Sequence, residues 1–341
     1  MKAWLLRKGA TSLDDMHLVD VEKPQPGPGE ILIRVRACSL NYRDQLIPKG
    51  HYFGGTVGED IVPLSDGTGE VETVGPGVTR FRPGDRVAGI FFQNWFEGPI
   101  TPAAGPALGA PPATGMLAEY VTLPETGVVT LANSLTFEEA ATLPCAGVTA
   151  WNALMEGPNP VKPGDHVLVI GTGGVSLLAL QIAKAVGASV IATSSSDAKL
   201  NRASALGADA RINYRTLSDW GAETARLSGK GGVEHVVEVG GVGTLAQSIQ
   251  AVGFGGEIAL IGVLTREGDT SPHGLMFKGA SMRGIFVGSS LMAERLNDFI
   301  DGHGIQPVVD RIFPMEDAKA AYAYQASSQL FGKVVIRVQG D

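Results

Sequence analysis

From residue 166 to 288, short runs of β-branched and aliphatic residues alternate with amphipathic stretches of helical spacing. HVLVIG is followed by VSLLALQIAKAVG, SVIATS by DAKLNRASALG, ARINY by DWGAETARLSG, and VEHVVEVG by TLAQSIQAVG, before EIALIGV and SMRGIFVG close the series. Apolar runs of four to six residues are strands buried on both faces. Helices between such strands imply parallel crossovers, so this part of the chain is constrained to a doubly wound α/β sheet.

The first strand-to-helix turn of the series reads GTGGVS. Gly171 permits a tight turn, and Gly173 lets backbone approach a pyrophosphate at the helix N-terminus, with Gly174 and Val175 opening the helix; Ser176 stands where a third glycine is usual. Such a motif is weak alone, but here it lies at the first βα turn of a repeated pattern, the context a dinucleotide site requires. An NAD site would end the second strand in a carboxylate about 20 residues on. Here Ser194, Ser195 and Ser196 stand there, with Lys199 one turn into the next helix. Hydroxyls and a cation suit a 2′-phosphate, which a carboxylate would repel, so the cofactor is expected to be NADP(H). Ser196 or Asp197 also suits a helix cap, and Asp197 reaches the ribose if the strand ends later.

Upstream the texture differs. EILIRVRAC, EVETVG, DRVAGIFF and AEYVTL are short β-rich runs broken by Gly and Pro, which predict a mostly antiparallel unit over 1–125. SLTFEEAATLPCAGVTAWNALME predicts a helix capped by Ser134 or Thr136, opening a dinucleotide domain over 126–287. The tail 288–341, with helices in MAERLNDFIDG and EDAKAAYAYQAS and a strand in GKVVIRV, is too small to stand alone and is expected to complete the first domain. The 46 glycines are roughly twice the average share of about 7% and have no collagen-like period, so they serve turns and close approaches. Nine of the 18 residues of 98–115 are Gly or Pro, marking a long loop that is either functional or a solvent excursion. Phe91, Phe92, Trp95 and Phe96 before it are read as an apolar wall for a flat acceptor in preference to core.

A formal charge of −8 argues against nucleic acid or anionic membrane as partner. No apolar run approaches the roughly 18 residues of a membrane span, and the N-terminus lacks a signal-peptide core, so a cytoplasmic protein is expected. Two cysteines, Cys38 and Cys145, cannot build a four-thiolate site.

With SLNYRDQ, LPCAGVTAW, GTGGVS and FGKVVIRV in this order, nearly the whole chain resembles the medium-chain dehydrogenase/reductase superfamily, and most closely its zinc-free, quinone-oxidoreductase-like (zeta-crystallin-like) branch. The resemblance implies a GroES-like, mostly β catalytic domain joined to a Rossmann domain. It places Asn41, Ser65 and Cys145 at the positions where zinc members carry Cys, His and Cys, and puts the cysteine-free 98–115 loop where they carry a structural-zinc lobe. Asn and Ser do not replace Cys and His as zinc ligands, so no metal is expected. Cys145 is then read as a small residue near the nicotinamide, neither ligand nor nucleophile, and Thr149 as the nearer cofactor neighbour. The resemblance also implies cofactor contacts at Tyr214, Gly240, Gly262 and Lys333, and a homodimer paired through SMRGIFVG.

Without a Lewis acid, hydride transfer is expected to go to acceptors already electron-poor, quinones or α,β-unsaturated carbonyls. Asn41 would donate its amide to the acceptor oxygen and Tyr52 a hydrogen bond or a proton, while Arg43 and Asp44 pair with each other or hold the segment. The alternatives are an NADP-dependent alcohol dehydrogenase-like enzyme and a non-catalytic NADPH-binding or sensing protein.

Overall fold

The computed structural model describes residues 1–53, 55–262, 264–265 and 270–340. The chain is an α/β protein that divides into two compact units, Met1–Val148 with Gly288–Asp341, and Thr149–Val287. In the first, β1 (Lys2–Leu6) and β2 (Met16–Asp20) form an antiparallel hairpin. There follow β3 (Glu30–Ser39), β4 (Asp66–Val74), β5 (Arg86–Gly89), β6 (Tyr120–Pro124) and β7 (Val128–Thr130), then a single helical turn, α1 (Phe137–Ala140). Thr136 caps α1 reciprocally: its hydroxyl accepts from the Glu139 N–H at 3.2 Å and its own N–H donates to the Glu139 carboxylate at 2.9 Å.

The expected helix over 134–156 is not continuous. After α1 the backbone makes a π-type turn, Leu143–Gly147, before α2 (Val148–Met155). Pro144 has no N–H to donate and its ring crowds the preceding turn, so a regular ladder cannot run through it. Cys145 therefore lies in this π-helical turn, which runs directly into α2. The boundary also differs from the expected 125, because β7 pairs with β5 and α1 packs on β3 and β4, which ties 126–148 to the first unit.

The second unit alternates β8 (His166–Ile170), α3 (Gly174–Val186), β9 (Ser189–Ser194), α4 (Asp197–Ala205), β10 (Ala210–Asn213), α5 (Trp220–Leu227), β11 (Val233–Glu238), α6 (Val242–Ala251), β12 (Val252–Leu260), α7 (His273–Lys278) and β13 (Ser281–Gly284). Its sheet is wholly parallel, in the order β10-β9-β8-β11-β12-β13. This is the Rossmann arrangement that the alternation predicts, with Val167, Leu168, Val169, Val236 and Val237 fully buried. Of the expected strand EIALIGV, Val263 lies outside the described residues.

The chain then re-enters the first unit through α8 (Ser290–His303), β14 (Val309–Pro314), α9 (Ala318–Gln325) and β15 (Lys333–Arg337). β15 pairs antiparallel with β3 and parallel with β14, completing a seven-stranded sheet in the order β14-β15-β3-β4-β5-β7 with β6 on β3. No helix among the described residues is long and apolar enough to cross a membrane.

Candidate active site

Three neighbouring strands assemble a polar cluster in the first unit. β3 ends at Ser39, which lies opposite Asp66 at the start of β4 and Val335 of β15. That register brings Asn41, Ser65, Asp66 and Lys333 together although 292 residues separate the first from the last. The Lys333 ammonium is buried. It donates to the Leu40 carbonyl and to the Asn41 Oδ1, both at 2.6 Å, and lies 3.6 Å from the Asp66 carboxylate. Asp66 also accepts from the Ser65 hydroxyl at 2.8 Å and the Ser39 hydroxyl at 3.2 Å. The expectation that Lys333 touches the cofactor thus meets an ammonium already committed within the first unit.

Asn41 is 8% exposed, and its Nδ2 is buried without a hydrogen-bond partner. An unsatisfied buried amide donor costs about 1–3 kcal/mol, so it marks a place where another acceptor belongs. Cys145 sits in the field of Asp66, Lys333, Arg43 and Asp44; burial, with Asp66 adding to it, pushes its thiol up, which keeps it protonated. Burial likewise raises the Tyr52 phenol to about 12, so it stays a hydrogen-bond donor throughout the neutral range.

Arg43 and Asp44, read as holding the segment, are both buried. The Arg43 guanidinium lies between the rings of Tyr52 (4.9 Å) and Phe91 (4.6 Å) and donates to the Leu108 carbonyl at 2.7 Å. Asp44 accepts from the Asn41 N–H at 2.7 Å, and its other oxygen is 3.9 Å from the Arg43 Nε. Burial is the main cause that raises the Asp44 carboxyl to about 6, against the pull of Arg43. A carboxyl raised on folding contributes most below its unfolded value, near 4, and loses about 3 kcal/mol of that stability as pH rises through 6. Denaturation midpoints of the parent and Asp44→Asn should therefore shift toward the variant between about pH 4 and 6, with no further relative change above 7. A difference that stays constant over pH 4 to 7 would contradict the burial of this charge.

Leu108 belongs to the Gly/Pro loop, and its middle is not a solvent excursion: Ala104, Leu108 and Ala110 are buried, while 98–103 are exposed. Gly109 and Gly115 press on the backbone of Leu64, which has φ +70°, and a Cβ at either would fall 2.6 Å or less from it. The loop thereby clamps the residue that precedes Ser65. The aromatic wall is corrected: Phe91, Phe92 and Trp95 are core, at 2%, 5% and 6% exposure, and only Phe96 faces solvent.

In the second unit, β8 ends at a turn with Gly171 at φ +75° and α3 begins at Gly174. A Cβ on Gly173 would meet no atom within 4 Å, so its face is open. The first-turn N–H groups of α3, those of Gly174 and Val175 among them, have no acceptor within the helix, and Gly173 has no side chain to cap them. Ser176 turns inward and donates to the Ile170 carbonyl at 2.7 Å, which ties strand to helix in place of the third glycine. These features fit a pyrophosphate.

Parallel pairing of β9 and β10 sets Tyr214 beside Ser194, whose carbonyl accepts the Tyr214 N–H at 3.1 Å. Ser194 is buried, Ser195 is half-buried, and Tyr214 is 40% exposed. Ser196 is the cap of α4, accepting from the Lys199 N–H, so Lys199 lies in the first turn, at the same sheet end. Asp197 is held by the Asn213 amide at 2.9 Å. Thr149, in the first turn of α2, is buried.

Gly240 and Gly262 are required by internal packing: a Cβ on Gly240 would fall 2.3 Å from the Thr244 Oγ1, and one on Gly262 2.3 Å from the Val239 carbonyl carbon. Sequence reasoning missed the residue that shapes this turn, Glu238. It is fully buried, and its carboxylate accepts from the N–H of Gly240 (2.7 Å) and Gly241 (3.0 Å) and the hydroxyls of Thr244 (2.6 Å) and Ser248. The available signal was an acid ending a buried strand, VEHVVE, just before a Gly-Gly turn.

Comparison with known proteins decides the family. Residues 27–133 match the alcohol dehydrogenase GroES-like domain and 174–302 the zinc-binding dehydrogenase domain. A zinc-type alcohol dehydrogenase-like protein of Schizosaccharomyces pombe is 43% identical over 96% of both chains. The chain belongs to the medium-chain dehydrogenase/reductase superfamily. It is a mixed α/β oxidoreductase of that superfamily, with a Rossmann domain for a nicotinamide cofactor and a mostly β GroES-like domain. A crystal structure named as an alcohol dehydrogenase from Sinorhizobium meliloti 1021 superposes with a TM-score of 0.90 at 42% identity, covering 99% of this chain and 100% of that one. A 2-methylene-furan-3-one reductase of Solanum lycopersicum is 31% identical over 98% of this chain and 79% of its own.

Proposed function

We propose that this superfamily member is a metal-free, NADPH-dependent reductase of small electron-poor acceptors, quinones or α,β-unsaturated carbonyls. The observation that carries the reading is the Asn41 amide, buried, fixed at its oxygen by Lys333 and unpartnered at Nδ2. An amide donor held in a dry site stabilises an oxygen on which negative charge builds, which is what hydride addition to a conjugated carbonyl or quinone produces. The bound nicotinamide supplies the hydride. Asn41 donates to the acceptor oxygen, and Tyr52, held protonated by burial, offers a second donor. The reductase name of the tomato relative agrees with an enone acceptor.

The zinc-type name of the yeast relative would favour alcohol oxidation, but the donor set does not fit the metal. A catalytic zinc needs three ligands of the Cys, His or carboxylate kind in an open site. Here Asn41, Ser65 and Cys145 stand at the three positions, only the last of them a zinc-ligand type, and the Lys333 ammonium is 2.6 Å from the Asn41 Oδ1. A divalent ion there would face a fixed cation. NADPH over NADH is supported by Ser194, Ser195, Lys199 and Tyr214, which share one end of the sheet, where Asp197 is held by the Asn213 amide. A homodimer, paired through the outer strand β13 with Met282 and Phe286 exposed nearby, is part of the reading; sedimentation at twice the chain mass checks it, and a monomer would remove it.

The test is Asn41→Leu. It should lower kcat for a conjugated ketone about 100-fold while NADPH affinity, read by fluorescence, stays within twofold. An unchanged kcat would remove Asn41 from the chemistry and the reading with it.

A further inference from the structure

The role of Lys333 extends beyond holding the fold. Its ammonium has carbonyl and carboxamide oxygens for its two short hydrogen bonds, both at 2.6 Å, and only a distant carboxylate oxygen, 3.6 Å away on Asp66. A buried cation is costly unless it is compensated, and the nearer and shorter contact here is spent on a neutral amide. Drawing electron density toward the Asn41 Oδ1 makes the attached NH2 a stronger donor, since hydrogen bonds in a chain polarise one another in a low dielectric. The same contact fixes which way the amide points: with Oδ1 on Lys333, Nδ2 must face away from it. Among the described residues Nδ2 has no partner, and the neighbouring Asp44 uses its Oδ2 on the Asn41 backbone N–H. Strand register enforces the arrangement, β15 lying against β3 so that Lys333 enters where β3 ends.

We infer that Lys333 is a positioning residue which orients and polarises the Asn41 amide. The inference rests on the reading of Asn41 as the donor to the acceptor oxygen. It assigns to Lys333 a role different from cofactor contact, and the two roles separate by experiment. Lys333→Met should lower kcat for a conjugated ketone about 30-fold and leave NADPH affinity unchanged. The double variant with Asn41→Leu should be no slower than Asn41→Leu alone, because one interaction chain is broken only once. A tenfold weaker NADPH affinity with kcat preserved, or losses that multiply in the double variant, overturns the assignment.

A second readout needs no acceptor. The Asn41 side-chain amide pair in a nitrogen–proton correlation spectrum, identified by its loss in Asn41→Leu, should shift in Lys333→Met. If the parent reduces no acceptor at all, the reductase reading fails, while these signals still decide whether Lys333 governs the amide. Where the methionine variant does not fold, Lys333→Arg serves: it keeps the buried charge facing Asp66 but displaces the donor. It should move the same signals and lower kcat with NADPH affinity kept. Unmoved signals in either folded variant overturn the inference.

Discussion

Gly173→Val should abolish dinucleotide binding and leave the fold intact. The backbone at Gly173, φ −83° and ψ −179°, is ordinary extended chain that a branched residue adopts without strain. A Cβ there meets nothing within 4 Å, so the protein itself loses no packing and stability should change by no more than about 0.5 kcal/mol. The open space lies at the N-terminus of α3, where a pyrophosphate would sit, and a valine would fill it. NADPH affinity should fall at least about 100-fold, or about 2.8 kcal/mol. Gly262→Ala is the informative contrast. Its Cβ would fall 2.3 Å from the Val239 carbonyl carbon and 2.5 Å from the Gly241 nitrogen, both rigid backbone. It should cost about 3 kcal/mol of stability, seen as a lower denaturation midpoint, before any effect on binding is measured. If Gly173→Val binds NADPH normally, the turn is structural only and the cofactor assignment is wrong.

Glu238→Ala should be among the most destabilising single changes in the second unit. The carboxylate satisfies two backbone N–H groups and two hydroxyls in a fully buried setting. Removing it orphans donors that water cannot reach, at a cost of about 4 kcal/mol. Glu238→Gln keeps one oxygen for Gly240, Gly241 and Thr244, and the Ser248 hydroxyl can turn to accept from the new NH2, so its cost should be about 1–2 kcal/mol. Chemical denaturation of the three proteins checks both the order and the size. Equal stability of the alanine variant would mean that the 238–244 turn is held by its Thr265 contacts instead, which join Gly240 and Gly243 to that hydroxyl.

The Rossmann unit was legible because its signals are local: a buried strand, a glycine turn and an amphipathic helix are each written in fewer than 20 consecutive residues, as in HVLVIGTGGVSLLALQIAK. The cap at Thr136 was legible for the same reason. The first unit was harder. The pairing of β15 with β3, which sets Val335 opposite Ser39, joins opposite ends of the chain, and periodicity does not name such a partner. Pro144 announced a break in the 134–156 helix that the apolar spacing outweighed in the sequence reading. Asn41 was placed by family position alone; that its oxygen is held by Lys333 follows only from the register of β15 on β3. The Gly/Pro loop shows the same limit from the other side, since its composition marked a loop but not the clamp that Gly109 and Gly115 make on Leu64.

The most direct test of the central claim is NADPH oxidation by chelator-treated protein, assayed against matched panels of quinones and α,β-unsaturated carbonyls, with NADH as the comparison cofactor. Turnover of at least one panel, undiminished by chelation and at least about tenfold better in kcat/KM with NADPH, is the expected result, the preferred panel telling a quinone acceptor from an alkene. Activity that appears only when zinc is restored would contradict the account, because Cys145 would then be a working ligand in spite of the Lys333 and Arg43 cations acting on it.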